Sequence, residues 1–119
     1  MGQESRRHER FAGTLTVKVE GDGTQRYGTI YEISQGGAFL EVSPLPIVGG
    51  LIRIVINEGK IRHALGAEVR YRVSSEIGPR GIEGVGVSWI DPTPEQEQLI
   101  ARLVERAQTG LPLRGIAVE

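Results

Sequence analysis

IRHALGAEVRYRV, residues 61–73, alternates apolar and polar side chains more regularly than any other part of the sequence. Side chains along a β-strand point alternately to opposite faces, so this period of two predicts a long strand with one face against a core. The predicted core face consists of Ile61, His63, Leu65, Ala67, Val69, Tyr71 and Val73. The opposite face carries Arg62, Glu68, Arg70 and Arg72. Its arginines either face solvent, supplement an anion site or bind an acidic partner.

Shorter stretches of the same kind surround this strand and predict an all-β fold. Alternating or dense apolar runs place further strands at 12–19, 26–34, 38–42, 51–56 and 82–90. Turns and a proline loop separate them, at 20–24, 43–46, 57–60 and 74–81. Phe39 and Trp89 are expected to pack in the core or at the mouth of a barrel. We predict antiparallel strands that close on themselves.

The pattern changes to a helical period near the end of the chain. Thr93 is a candidate N-cap, Pro94 suits the first helical position, and Gln96 completes the spacing of a capping box. A stripe at the helical period follows, made of Leu99, Ile100, Leu103, Val104 and Ala107. The fold prediction is a six- to seven-stranded antiparallel β-barrel with one C-terminal α-helix, over residues 12–108. Residues 1–11 would form a flexible arm and 109–119 a tail.

Composition narrows the classes of function. A chain of 119 residues suits one domain, and the absence of cysteine excludes thiolate nucleophiles and thiolate metal sites. The 14 basic and 15 acidic residues leave a formal net charge of −1, so no global field attracts nucleic acid or a membrane surface. No apolar run has the length of a membrane span. We expect a cytoplasmic protein with no metal, no cofactor, no nucleic-acid partner and no membrane insertion.

Three arginines stand immediately before the first strand, at Arg6, Arg7 and Arg10. Guanidinium groups bind phosphate and the acceptor edge of guanine through paired N–H donors. The common alternative is a solvated basic tail. The sequence shows no nucleophile with an adjacent base, no P-loop and no paired carboxylates, so an enzyme is not expected and no catalytic residue is predicted.

A second motif, Glu32-Ile33-Ser34-Gln35-Gly36-Gly37, lies where one predicted strand ends and the next begins. It combines a carboxylate, a hydroxyl and two glycines, and glycine allows a backbone to approach a ligand closely. A plain turn between strands would also use glycine. Taken together, the two motifs indicate an anionic-nucleotide site without a catalytic group.

The pair of motifs resembles the PilZ domain family, bacterial receptors for cyclic-di-GMP. Arg6 and Arg10 match that family's R-x-x-x-R segment, and Ser34 and Gly37 match its D/N-x-S-x-x-G segment. Glu32 departs from the family, which has Asp or Asn there. The resemblance extends through 36–40, 44–49 and 84–89, and covers about residues 6–103.

The resemblance implies a PilZ-like barrel that binds cyclic-di-GMP, closes the arm on it and signals to a protein partner. Such partners serve motility, pili, exopolysaccharide synthesis or regulation. The implied ligand-binding residues are Arg6, Arg7, Arg10, Glu32, Ser34, Gly36 and Gly37. Glu32 favours the alternative of an interaction adaptor that no longer binds the nucleotide, and the arginine pair favours the receptor. A barrel that binds single-stranded nucleic acid is disfavoured by the near-neutral charge.

Overall fold

The computed structural model describes residues 11–75 and 82–108. Within these ranges the chain forms a closed barrel of six strands and one helix. The strands are β1 (Phe11–Gly21), β2 (Thr24–Ile33), β3 (Gly37–Glu41), β4 (Leu51–Glu58), β5 (Ile61–Ser75) and β6 (Ile82–Trp89), and the helix is α1 (Pro94–Gln108). The strand order around the barrel is β1-β2-β3-β6-β5-β4, with every neighbouring pair antiparallel. The predicted barrel with a C-terminal helix is confirmed.

The core fills the inside of the barrel with branched aliphatic side chains. Alternate residues of each strand point inward, as the period of two predicts. Fully buried examples from different strands are Leu15, Ile30, Leu40, Ile54, Leu65 and Val85. His63 is also buried, in agreement with its predicted place in the core or at a barrel end.

Helix α1 packs against the core through the predicted stripe, of which Leu99, Ile100, Leu103 and Val104 are buried. Its first turn has the predicted capping box: the amide of Gln96 donates to Oγ1 of Thr93, and the amide of Thr93 donates to Oε1 of Gln96, each over 3.1 Å. Nε2 of Gln96 also donates to the carbonyl oxygen of Ala64, which ties the helix start to β5. The amphipathic helix therefore completes the core.

Strand β5 departs from the prediction in its second half, because the β5–β6 register contains an irregularity between Val69 and Tyr71. Beyond it Arg72 lies opposite the buried Val85, whereas Tyr71 and Val73 lie opposite Gly86 and Gly84. Residues directly opposite each other share a face. The prediction of one continuous core face from Ile61 to Val73 is therefore wrong after Val69, and Tyr71 lies on the outside of the barrel.

Candidate ligand-binding face

Residues 34–36 form the turn between β2 and β3, here called the motif turn. The amide of Ser34 donates to the carbonyl oxygen of Gly37 over 2.8 Å. The Ser34 hydroxyl accepts from the amides of Gly36 at 3.3 Å and Gly37 at 3.2 Å, and donates to the carbonyl oxygen of Gly37 at 3.3 Å. Ser34 is only 5% exposed. Its hydroxyl thus supplies one donor and two acceptor positions to backbone groups, and it holds the turn in shape.

Strand β6 supports the motif turn from the other side. The indole Nε1 of Trp89 donates to the carbonyl oxygen of Ser34 over 3.2 Å, and its amide donates to the carbonyl oxygen of Gly36 over 3.1 Å. Trp89 is partly buried against the core, as predicted. Its hydrogen bonds to the motif turn were not predicted, because they join residues far apart in sequence, 55 positions in the case of Ser34. The turn is therefore braced by three strands.

Gly37 is required by the packing of β3 on β6. A Cβ built on Gly37 would overlap the carbonyl oxygen of Val87, which belongs to the backbone of β6 and cannot rotate away. The glycine therefore has a structural reason that is independent of any ligand. Beside the motif turn, Gly37 lies opposite Ser88 of β6.

The outer face of the barrel beside the motif turn begins with Glu32. Register places Glu32 opposite Phe39, Phe39 opposite Gly86, and Gly86 opposite Tyr71, which makes one row across β2, β3, β6 and β5. The β2–β3 register shifts between Ile30 and Glu32, which brings Glu32 into this outward row. We call this row, together with the motif turn, the outer ligand face.

Two glycines of β6 accommodate the aromatic rings of this face. A Cβ on Gly84 would approach Cζ of Phe39 to 2.8 Å, and one on Gly86 would overlap the ring of Tyr71. Phe39 therefore lies on the outside and not in the core or barrel mouth where it was predicted. The two glycines, two residues apart on one strand, are the sequence signal that a ring crosses each of them from a neighbouring strand.

The charges on this face are local and of both signs. Arg70, at the β5 irregularity, has its Nη1 3.8 Å from Oε1 of Glu68. Glu68 in turn lies opposite Ser88, one row from Tyr71. The face therefore presents carboxylate oxygens, aromatic rings and a guanidinium group around the motif turn, Gly37 and Ser88. Those groups suit a planar ligand that carries both N–H donors and phosphate.

The root of the N-terminal arm meets the motif. The described chain begins at Phe11, which lies opposite Ile33, and Ala12 lies opposite Glu32. Arg6, Arg7 and Arg10 lie outside the described residues, so their predicted role stays a prediction. In the sequence Arg10 directly precedes Phe11, which pairs with the second residue of that motif.

Other kinds of site are not built in the described parts of the chain. Residues 11–75 and 82–108 contain no group of three His, Cys, Asp or Glu side chains that could hold a metal ion. Across the same residues, no helix has the length and apolar character needed to cross a membrane.

Comparison with known proteins identifies the fold family. The PilZ domain model matches residues 4–106, which is most of the chain. This chain is a member of the PilZ domain family. PilZ domains are receptor domains and not enzymes, which confirms the prediction that this chain is not an enzyme.

Solved structures agree with the family at the level of the fold. The PilZ domain of Escherichia coli YcgR, solved with c-di-GMP, superposes with a TM-score of 0.70 at 15% identity, over 89% of this chain and 93% of that one. The PilZ domain of CeSA from a cellulose-synthesizing bacterium gives 0.62 at 21% identity, over 84% and 98%. The Bacillus subtilis inhibitor of motility MotI/DgrA gives 0.68 at 18% identity, over 89% and 52%. Curated protein sequences give no significant match.

Proposed function

We propose that this PilZ domain is a receptor for cyclic-di-GMP that binds the nucleotide on the outer ligand face and closes its N-terminal arm over it. The observation that carries the proposal is the pairing of Phe11 with Ile33. It brings the chain that follows the arginine motif to the second residue of the Glu32–Gly37 motif, which supports a single site for the two halves of the family signature. The YcgR PilZ domain, solved with c-di-GMP, is a structural neighbour in support. The proposed ligand-binding residues are Arg6, Arg7, Arg10, Glu32, Ser34, Gly36 and Gly37.

The residues of the second motif divide between contact and support. The carboxylate of Glu32 lies in the outward row and would accept hydrogen bonds from a guanine edge. Gly36 and Gly37 let the ligand approach the backbone. Ser34 would act mainly through the backbone groups it holds, because its hydroxyl is buried and hydrogen-bonded within the turn.

The arginines would supply the charge-assisted part of binding. A guanidinium group can bind a phosphate or the O6 and N7 atoms of guanine through two N–H groups at once. Each such contact discriminates by about 1–3 kcal/mol. Ordering an arm on binding has an entropic cost, which reduces the affinity but also couples ligand binding to a change at the N-terminus. That change would be the signal read by a protein partner.

A second candidate function is a PilZ adaptor that no longer binds the nucleotide. Glu32 is the observation that favours it, because a side chain longer by one methylene carries its carboxylate about 1.5 Å further from the backbone than the family's Asp. If β2 does not compensate, one pair of hydrogen bonds to guanine is lost. The adaptor and the receptor therefore differ in a measurable affinity.

Calorimetric titration with cyclic-di-GMP tests the proposal. We expect saturable binding that Arg6→Ala and Arg10→Ala each weaken about tenfold or more, which corresponds to about 1.4 kcal/mol. Arg53→Gln is the matched control, because Arg53 lies on β4, which has no part in the outer ligand face. Folded protein that gives no heat up to about 100 µM ligand, a concentration matching about −5.5 kcal/mol, would establish the adaptor instead.

A further inference from the structure

At the opposite end of β2 from the motif turn, two arginines converge on one carboxylate. Glu20 of β1 accepts from Nη1 of Arg53 on β4 at 3.3 Å and from Nη2 of Arg62 on β5 at 3.4 Å. Nε2 of Gln25 donates to the same carboxylate at 3.3 Å. Glu20 is only 16% exposed, whereas Arg53 and Arg62 are 60% and 56% exposed. Two cations thus share one anion, and most of each guanidinium group faces solvent.

Arg62 reaches Glu20 by crossing a neighbouring row. Arg62 lies opposite Asn57, Glu20 lies opposite Arg53, and Val55 lies between Asn57 and Arg53 on β4. Val55 alternates with the inward-facing Ile54 and Ile56, yet it is almost completely buried. Nη2 of Arg62 spans this row to reach Glu20 at 3.4 Å, so one edge of its guanidinium group is held before any partner binds.

Arg53 and Glu20 line a groove of about 510 Å³ between the β1–β2 turn and the start of β4. Arg62 lies beside the groove and is joined to it through its hydrogen bond to Glu20. The lining includes Glu20, Thr24, Gln25, Leu51, Arg53 and Gly66. Gly21, Gly23 and Gly66 leave the groove open, and no atom lies within 3.9 Å of a Cβ built on Gly66. We call this lining the seam groove.

The seam groove has an apolar end beside its basic end. Leu51 is 68% exposed, and it lies two residues before Arg53 on the same face of β4. Ile90, also exposed, donates its amide to the carbonyl oxygen of Gly66 and lies against that glycine. Lys18, which lies opposite Val55, adds a third cation on the β1 side. Glu68, which pairs with Arg70, lies opposite Leu51 at the apolar end. At the basic end Lys18, Arg53 and Arg62 face the single carboxylate of Glu20, so the positive charge there is local in a chain whose net charge is −1.

We propose that the seam groove is a docking surface for an acidic segment of a partner protein that also carries apolar side chains. Carboxylates of that segment would bind Arg53 and Arg62, which would keep their contact with Glu20 as a positioning group. Its apolar side chains would cover Leu51 and Ile90. Charge complementarity selects the partner: a basic or purely apolar segment would leave the two guanidinium groups without added anions. The groove residues are not those of the outer ligand face, although Leu51 lies opposite Glu68, whose other neighbour is Ser88, so the two surfaces can be tested by different variants.

A short synthetic peptide of alternating glutamate and leucine, labelled with fluorescein, tests the proposal by fluorescence anisotropy. We expect the full chain to bind it, and the double variant Arg53→Gln, Arg62→Gln to weaken binding about tenfold or more. Leu51→Ser should weaken binding of the glutamate–leucine peptide about threefold. A control peptide with serine in place of leucine should bind the wild type and Leu51→Ser with equal affinity. Arg72→Gln, an exposed arginine beyond the β5 irregularity, should change the affinity by less than about twofold.

Three results would overturn the proposal. One is no binding of the peptide, and another is an equal loss in Arg72→Gln, which would indicate diffuse attraction to surface cations. The third is a competition result in which short duplex DNA or phosphatidylglycerol vesicles displace the labelled peptide at a lower concentration than the unlabelled peptide does. That result would assign the surface to nucleic acid or to a membrane. Cyclic-di-GMP titration of the double variant separates the two proposals, since its nucleotide affinity should equal that of wild type.

Discussion

Gly37 is a glycine that both the family motif and the packing of β3 on β6 require. In Gly37→Ala the new methyl group would meet the backbone carbonyl of Val87, and β3 can only relieve that overlap by moving away from β6. We expect a loss of about 3 kcal/mol in the free energy of unfolding, at the upper end of the usual cost of overpacking. Urea denaturation measures it. Gly66→Ala is the control, with no neighbour nearer than 3.9 Å, and should change stability by less than about 0.5 kcal/mol.

A small effect of Gly37→Ala on stability would contradict this account of the glycine. In that case the residue would be needed for approach of a ligand and not for the packing of two strands. The comparison matters because a binding defect in the same variant could otherwise be ascribed to a lost contact. Gly37 thus illustrates how a motif residue can affect ligand binding through the backbone packing that it allows, without contacting the ligand.

At the scale of elements, helix α1 is fastened to β4 by an ion pair whose strength depends on pH. Nε and Nη2 of Arg102 donate to the two carboxylate oxygens of Glu58 at 2.8 and 2.6 Å, and Nε2 of His63 lies 3.4 Å from Oε1. The hydrogen bonds from Arg102 lower the pKa of Glu58, and burial opposes them in part. Glu58 raises the pKa of Arg102 in return.

The lowered pKa sets the direction of a pH effect on stability. Since the folded pKa lies below the unfolded one, the pair contributes its full stability above the unfolded pKa and loses it as the pH falls through the folded value. At neutral pH we expect Arg102→Gln to lower the free energy of unfolding by about 0.5–1 kcal/mol, because the arginine is half exposed. The deficit should shrink between about pH 6 and about pH 3, around the usual glutamate pKa of about 4.3.

Urea denaturation at a series of pH values measures this deficit. Arg72→Gln, which also removes one exposed arginine, corrects for the general change in net charge. A deficit that is the same at both ends of the pH range would show that Arg102 acts through its aliphatic part and not through the carboxylate.

The elements also show how far the sequence predicts this molecule. Period-two alternation located the strands, and Thr93 with Gln96 located the helix start, because both are local patterns. The irregularity at Arg70 was missed, since one extra residue in a ladder leaves the composition of a strand unchanged while it reverses every later side chain. Phe39 was misplaced because nothing within β3 distinguishes an aromatic core residue from one that lies across Gly84 on β6.

The candidate site was predictable in the same way: its motif residues were found, and its long-range contacts were not. Glu32, Ser34 and Gly37 were identified by their motif, and their positions at the β2–β3 connection follow from the strand pattern. The support that Trp89 gives to Ser34 and the convergence of two arginines on Glu20 depend on barrel register between distant segments. Local patterns in a single sequence do not reveal how such distant segments pair.

At the scale of the whole molecule, the two proposed surfaces use different residues of one closed barrel. The outer ligand face crosses β2, β3, β6 and β5, whereas the seam groove opens between the β1–β2 turn and β4. The barrel closes where β1 pairs with β4, through Lys18, Val19 and Glu20. Closure leaves little strand edge for a partner strand, which favours recognition by side chains such as those of the seam groove.

Ligand binding on one face should stabilise the whole barrel, because the core and all six strands unfold as one unit of this size. A ligand that binds only the folded state adds RT ln(1 + [L]/Kd), which is about 2.7 kcal/mol when the cyclic-di-GMP concentration is 100 times Kd. We therefore expect the urea midpoint of the wild type to rise steadily with the logarithm of cyclic-di-GMP concentration. Arg10→Ala should require about tenfold more ligand for the same rise, and the Arg53→Gln, Arg62→Gln variant should follow the wild-type dependence. A midpoint that does not respond to the nucleotide in any of the three proteins would leave the barrel as an adaptor, with the seam groove as its remaining proposed surface.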